Sequence, residues 1–155
     1  MLAIKRILVP TDFSEPSQDA LAYAKGLADA FGSSLHVLHV LEDLAAHAWT
    51  TEVYVAALPG VHEEMERQAQ DRLGELLSED EKRKYDAKLV LRTGSAFVEV
   101  VRHAREEAID LVVMGTHGRG AIAHMLLGSV AERVVRKAPC PVLTVRQKQP
   151  QFETA

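Results

Sequence analysis

Residues Ile109–Arg146 read IDLVVMGTHGRGAIAHMLLGSVAERVVRKAPCPVLTVR. An apolar, β-branched run (Ile109–Gly115) stops at glycine, and a loop with further glycines at Gly118 and Gly128 follows. The stretch SVAERVVRKA then has helical character, and PVLTVR (Pro141–Arg146) is a second short apolar run. Strand, loop, helix and strand in that order describe a right-handed crossover between two parallel strands.

The same alternation extends toward the amino terminus. IKRILVP (Ile4–Pro10) is a buried strand that breaks at a turn. After TDFSEP, residues Ala20, Ala24, Leu27, Ala28 and Phe31 fall on one side of a helix, with Pro16 near its start and Gly32 at its end. SLHVLHVL (Ser34–Leu41) is a second strand, and Asp43–Gly60 is an aperiodic connection ending in Pro-Gly. A helix from about Val61 carries Met65, Ala69, Leu73, Leu76 and Leu77 on one side, and its charged tail SEDEKRK is expected to be a solvated helix end. AKLVLR (Ala87–Arg92) is a third strand, followed by a helix that Ser95 is expected to cap. With Ile109–Gly115 fourth and Pro141–Arg146 fifth, the pattern predicts an α/β fold, a parallel sheet covered on both faces. QKQPQFETA is expected to be a loose tail, so one domain spans residues 1–146 and the tail 147–155.

Composition agrees with a single globular domain. Hydrophobic residues make up 47% of the 155-residue chain and charged residues 26%, enough apolar material for a full core. The net charge of −4, with both signs interspersed, argues against a general nucleic-acid binder, which would carry a clustered basic face. A single cysteine, Cys140, excludes an intramolecular disulfide and fits a reducing cytoplasm. No apolar run approaches the ~18 residues of a membrane span, and the first residues do not read as a signal peptide.

Two strand ends carry unusual chemistry, VPTD at the first and MGTHGRG at the fourth. In open parallel sheets ligands bind at the carboxyl ends of strands where strand order reverses, so both could face one crevice. The spacing Gly115-x2-Gly118-x9-Gly128-Ser129 lets backbone N–H groups converge on an anion just before a helix amino terminus. Ser129 would add a hydroxyl, and Arg119 is the permanent cation inside the loop. Against this, SVAE (Ser129–Glu132) matches a capping box, and the glycines could be punctuation. Asp12 likewise has two readings: a ligand for ribose, adenine or a metal, or an Asx turn helped by Ser14. Walker spacing is absent, and GTHGRG lacks the G-x-G-x-x-G of dinucleotide sites.

RILVPTDFSEPSQDALAYAKGLA and DLVVMGTHGRGAIAHMLLGSVAERVVRKAPCPVLTVR together resemble the universal stress protein (UspA) family, with Asp43–Lys84 poorly matched. The G-x2-G-x9-G-[ST] motif resembles that of the family's ATP-binding branch. The resemblance implies a five-stranded Rossmann-like sheet of order 3-2-1-4-5, of the adenine nucleotide alpha hydrolase type. It also implies a homodimer through the last strand, Pro141–Arg146, and ATP in the crevice with Mg²⁺ or Mn²⁺ on its phosphates. Pro10, Thr11, Asp12 and Val40 would surround adenine and ribose. Met114, Gly115, Gly118, Gly128, Ser129 and Val130 would hold ribose and phosphates, with His117 and Arg119 nearby.

Hydrolysis has little support from the residues: the loop has neither lysine nor carboxylate where a γ-phosphate would lie. Two functions remain open, a nucleotide-responsive regulator in stress adaptation and a slow ATPase or phosphotransferase with weak self-modifying activity. The seven histidines lack ligand spacing; His36 and His39, three apart on a strand, point to opposite faces. Cys140, between two prolines, is expected to be a packing residue.

Overall fold

A computed structural model describes residues 1–43, 59–117 and 127–147. Its strands are β1 (Arg6–Thr11), β2 (Ser34–Glu42), β3 (Lys88–Gly94), β4 (Leu111–Gly115) and β5 (Val142–Val145). Its helices are α1 (Glu15–Phe31), α2 (Val61–Glu75), α3 (Glu79–Lys84), α4 (Ala96–Glu106) and α5 (Ser129–Lys137). All strand pairs are parallel and the order is β3-β2-β1-β4-β5. This is the single-domain α/β fold that the sequence predicts. No helix among the described residues is long and apolar enough to cross a membrane.

Side chains alternate along each strand, and both faces are buried. Ile7, Val9, Leu35, Val37, Leu111 and Val113 join the face covered by α1 and α2. Leu8, Leu38, Val112 and Met114 join the opposite face, under Val100 and Ala104 of α4 and Ala131 and Val134 of α5. Cys140 packs against this second cluster and burial pushes its thiol up, as suits a packing residue.

The ends of α1 follow from local chemistry. Ser14 accepts from the Ser17 N–H at 3.4 Å, and Gly32 stops the helix in the left-handed region (φ 69°). Two expectations change elsewhere. SEDEKRK is not the tail of α2, which ends at Glu75 with Leu76 as its cap. Ser78 and Glu81 form a capping box (2.9 and 3.2 Å) that starts α3 as a separate helix. Nor is that segment wholly solvated: Glu81 pairs with Lys25 at 2.7 Å and Lys84 with Asp29 at 2.6 Å, tying α3 to α1. Leu77, just beyond α2, is still buried. Ser95 does hold the cap position of α4, but its side chain makes no capping hydrogen bond.

A polar network interrupts the apolar packing beneath α4. His36 and His103 are 1% and 2% exposed, and their Nδ1 and Nε2 atoms lie 3.0 Å apart. Arg92 Nη2 sits 3.2 Å from His103 Nδ1, and arginine can only donate. His103 therefore accepts at Nδ1 and donates Nε2–H to His36. Arg92 also pairs with Glu99 at 3.4 Å and Glu106 at 2.9 Å. Burial, and then the neighbouring His103, push the His36 pKa down to about 4; burial, and then Arg92, lower that of His103.

A histidine whose folded pKa is depressed binds protons less readily folded than unfolded. For His36, stability is complete above about pH 6.5 and drains as pH falls toward 4, at about 1.4 kcal/mol per pH unit, and His103 acts in the same direction. Denaturant melts at pH 7.5, 6.5 and 5.5 should show this loss for the native chain. The double variant His36→Leu/His103→Leu should flatten it; an unchanged slope would mean that other groups set the acid sensitivity.

Candidate nucleotide crevice

Along the sheet, the chain runs outward from β1 to β2 and β3, then crosses back to β4. The carboxyl ends of β1 and β4 therefore flank the point where strand order reverses. A cavity of about 680 Å³ lies there, within the range of small-molecule sites. Its wall brings together Pro10, Thr11 and Asp12 from β1 and its turn, Val40 from β2, and Met114, Gly115 and His117 at the end of β4. Gly128, Ser129 and Val130 close the opposite side at the start of α5. Gly118 and Arg119 lie outside the described residues.

Each of these residues is positioned by something local. Thr11 is buried, its hydroxyl 3.1 Å from the Ser17 hydroxyl and accepting from the Phe13 N–H at 3.1 Å. That hydroxyl serves the turn. Asp12 Oδ1 accepts from the Ser14 N–H at 3.0 Å and from the Ser14 hydroxyl, so the Asx turn is present. Asp12 lines the cavity as well, and the two readings of this residue are compatible. His117 Nδ1 lies 3.1 Å from the Thr116 hydroxyl.

The glycines do different jobs. A Cβ at Gly115 would stand 3.0 Å from the Pro16 carbonyl oxygen and 3.1 Å from two other Pro16 atoms. Close approach of β4 to the first turn of α1 therefore favours glycine there, with or without a ligand, since any larger residue would push Pro16 back by a few tenths of an ångström. Gly128 is extended (φ −67°, ψ 161°), and its N–H reaches the Thr116 carbonyl at 2.6 Å, closing the base of the loop. It is also the cap residue of α5, with no side-chain cap. The capping-box reading of SVAE is thus corrected: Ser129 is the first helical residue, and Glu132 pairs with Arg136 at 2.8 Å instead. The first turn of any helix carries N–H groups without intrahelical acceptors, and Ser129, Val130 and Ala131 place that turn on the cavity wall.

The sequence reading missed several wall residues. Leu38 and Glu42 follow from Val40 by the two-residue strand period, which could have found them. Ala96 and Val100 come from α4, and only the docking of that helix brings them here. His39 lines the wall too, its Nδ1 2.7 Å from the Thr11 carbonyl oxygen; it contacts Phe13 while His36 contacts His103, on opposite faces as expected. No group of three histidine, cysteine, aspartate or glutamate residues that could hold a metal occurs among the described residues.

Residues 3–146 match the universal stress protein family. The chain belongs to that family. Universal stress protein MJ0577 of Methanocaldococcus jannaschii is 30% identical over 156 residues, covering 93% of this chain and 96% of the relative. The solved structure of MJ0577 has a TM-score of 0.76 at 28% identity, covering 96% of this chain and 99% of that one. A universal stress protein solved in complex with cAMP is similar as well: TM-score 0.61, 26% identity, coverage 95% and 100%.

Gly115→Ala in this universal stress protein should cost about 1–3 kcal/mol of stability, because the methyl group meets backbone rather than a movable side chain. Chemical denaturation of the ligand-free chain checks this. A neutral result would return Gly115 to a purely ligand-facing role.

Proposed function

We propose that this universal stress protein binds an adenine nucleotide, ATP, in the crevice and acts as a nucleotide-responsive regulator in stress adaptation, in a reducing, cytoplasmic compartment. One observation carries the reading. The crevice at the strand-order switch gathers the turn after β1, the end of β4 and the first turn of α5, residues drawn from both ends of the chain. A family member of similar fold that binds cAMP supports the class of ligand.

Pro10, Thr11, Asp12 and Val40 would face base and ribose. Met114, Gly115, Gly118, Gly128, Ser129 and Val130 would face ribose and phosphates, with His117 and Arg119 beside them. The donor set fits an anion: a helix amino terminus offers N–H groups and partial positive charge, and Ser129 a hydroxyl. Mg²⁺ or Mn²⁺ would arrive on the phosphates and supply charge neutralisation there, since the described residues form no cation cage of their own.

Small molecules released on denaturing the purified chain should include adenine nucleotide, and the stripped protein should rebind ATP–Mg²⁺ at micromolar concentration. Asp12→Asn should weaken that binding on the order of 10-fold, about 1.4 kcal/mol. Gly118→Val should abolish binding while unfolding stays cooperative. Retained affinity in both variants would move the site elsewhere. Unchanged ATP after prolonged incubation favours the regulator; steady ADP release that vanishes with Gly118→Val favours the slow ATPase.

We also infer a homodimer through β5. That strand ends the sheet, and an apolar, β-branched edge invites a second strand. Light scattering at micromolar concentration should give twice the 17.1 kDa chain mass. A monomer alone would count against the pairing.

A further inference from the structure

Phe13 lies in the left-handed region at φ 64°, a conformation unfavourable for a residue with a bulky side chain. Such outliers persist only where the surroundings over-determine them, and they cluster at functional sites. Phe13 directly follows Asp12 on the crevice wall. What holds it is therefore part of how the wall is made.

Four contacts hold it. Its carbonyl oxygen accepts from Gln18 Nε2 at 3.3 Å. Its N–H donates to Thr11 Oγ1 at 3.1 Å. Its ring lies 4.4 Å from that of His39, tilted by 38°. The Arg72 guanidinium carbon of α2 lies 4.3 Å from the same ring centroid, a cation over an aromatic face. His39 is tied to the turn a second time, because its Nδ1 lies 2.7 Å from the Thr11 carbonyl oxygen. A carbonyl oxygen only accepts, so His39 must carry its proton on Nδ1. One imidazole thus grips the turn at the Thr11 carbonyl and at the Phe13 ring, on either side of Asp12.

We propose that His39 is a positioning residue for the crevice: by donating Nδ1–H to Thr11 and stacking on Phe13, it holds the Thr11–Ser14 turn in the conformation that presents Asp12 to an adenine nucleotide. Arg72 completes the clamp from the outside. The role in binding rests on the nucleotide reading above; the clamp itself does not. His39 acts through the turn, so the part of the ligand it governs is the base and ribose. AMP, which lacks the outer phosphates, is the probe that isolates that part.

The experiment uses the full chain, native and as His39→Leu, His39→Asn and Arg72→Met. Nitrogen-resolved NMR of the ligand-free native protein should find His39 in the Nδ1–H form, and the Nε2–H form would overturn the proposal. Amide exchange at Phe13 and Ser14 should quicken roughly 10-fold or more in His39→Leu, with Ala24 and Ala28 in α1 unchanged. Asparagine can place an amide N–H near the Nδ1 position and should restore most of the protection. Arg72, exposed on α2, is replaceable without loss of the fold, and Arg72→Met should quicken Phe13 exchange by about 3-fold. AMP affinity should fall about 10-fold in His39→Leu and recover in His39→Asn. Native exchange rates in both His39→Leu and Arg72→Met would overturn the clamp. Faster exchange with unchanged AMP affinity would overturn its role in positioning. If the native protein binds ATP–Mg²⁺ but no AMP, the positioning role fails and the nucleotide reading stands; if it binds neither, both fail, while tautomer and exchange still decide whether the clamp exists.

Discussion

Asp110 stands at the mouth of β4 and accepts two backbone hydrogen bonds on one carboxylate oxygen, from Lys5 at 2.8 Å and Arg6 at 3.0 Å. Its own N–H returns to the Arg6 carbonyl at 3.0 Å. These bonds pin the start of β4 against the start of β1, and the ladder continues as Ile7↔Leu111 and Leu8↔Val112. The same offset carries Thr11 and Gly115 to one level at the far end of the sheet. A slip of one residue would turn every side chain of β4 to the other face and separate the two stretches that line the crevice. Gly115 against Pro16 closes the arrangement, because without a Cβ the end of β4 packs directly on the first turn of α1.

That junction explains which parts of the fold were legible. Strands buried on both faces appear as continuous apolar runs, and Pro16 and Gly32 mark the ends of α1 through backbone chemistry that any sequence shows. The break between α2 and α3 was hidden in a charged stretch. There a capping box formed by Ser78 and Glu81 outweighs the continuing helical pattern, and pairs with Lys25 and Asp29 hold the new helix on α1. The strand order itself came from family resemblance, since nothing in local pattern says that β4 returns to the side of β1.

The crevice was legible at its strand ends and not on its helical wall. Asp12 and Gly115–His117 are unusual residues at ends of predicted strands, which is why they stood out. Ala96 and Val100 are ordinary residues whose place on the wall depends on how α4 docks. Part of that docking is polar: Arg92 of β3 and His36 of β2 meet Glu99, His103 and Glu106 on successive turns of α4. A wholly apolar interface would leave the helix more freedom to slide, whereas directional bonds to buried partners fix its rotation. The same directionality makes the helix sensitive to acid, because each imidazole must stay neutral to keep its place.

A glycine motif invites one explanation for all its members, and the geometry separates them. Gly115 is favoured by a helix that packs on the strand end, and its contact with Pro16 would persist in a chain that bound nothing. Gly128 has backbone angles open to any residue, so the need for it cannot be conformational; its N–H is committed to Thr116, and it delivers the first turn of α5 to the cavity. Ser129 follows as the first helical residue, where its hydroxyl does not serve as the cap. The motif is therefore a composite. One end is fixed by packing, the other by the way a helix begins, and the spacing between them is what lets a strand end and a helix start share a wall. Its value as a signature lies in that shared wall more than in the freedom of any single glycine.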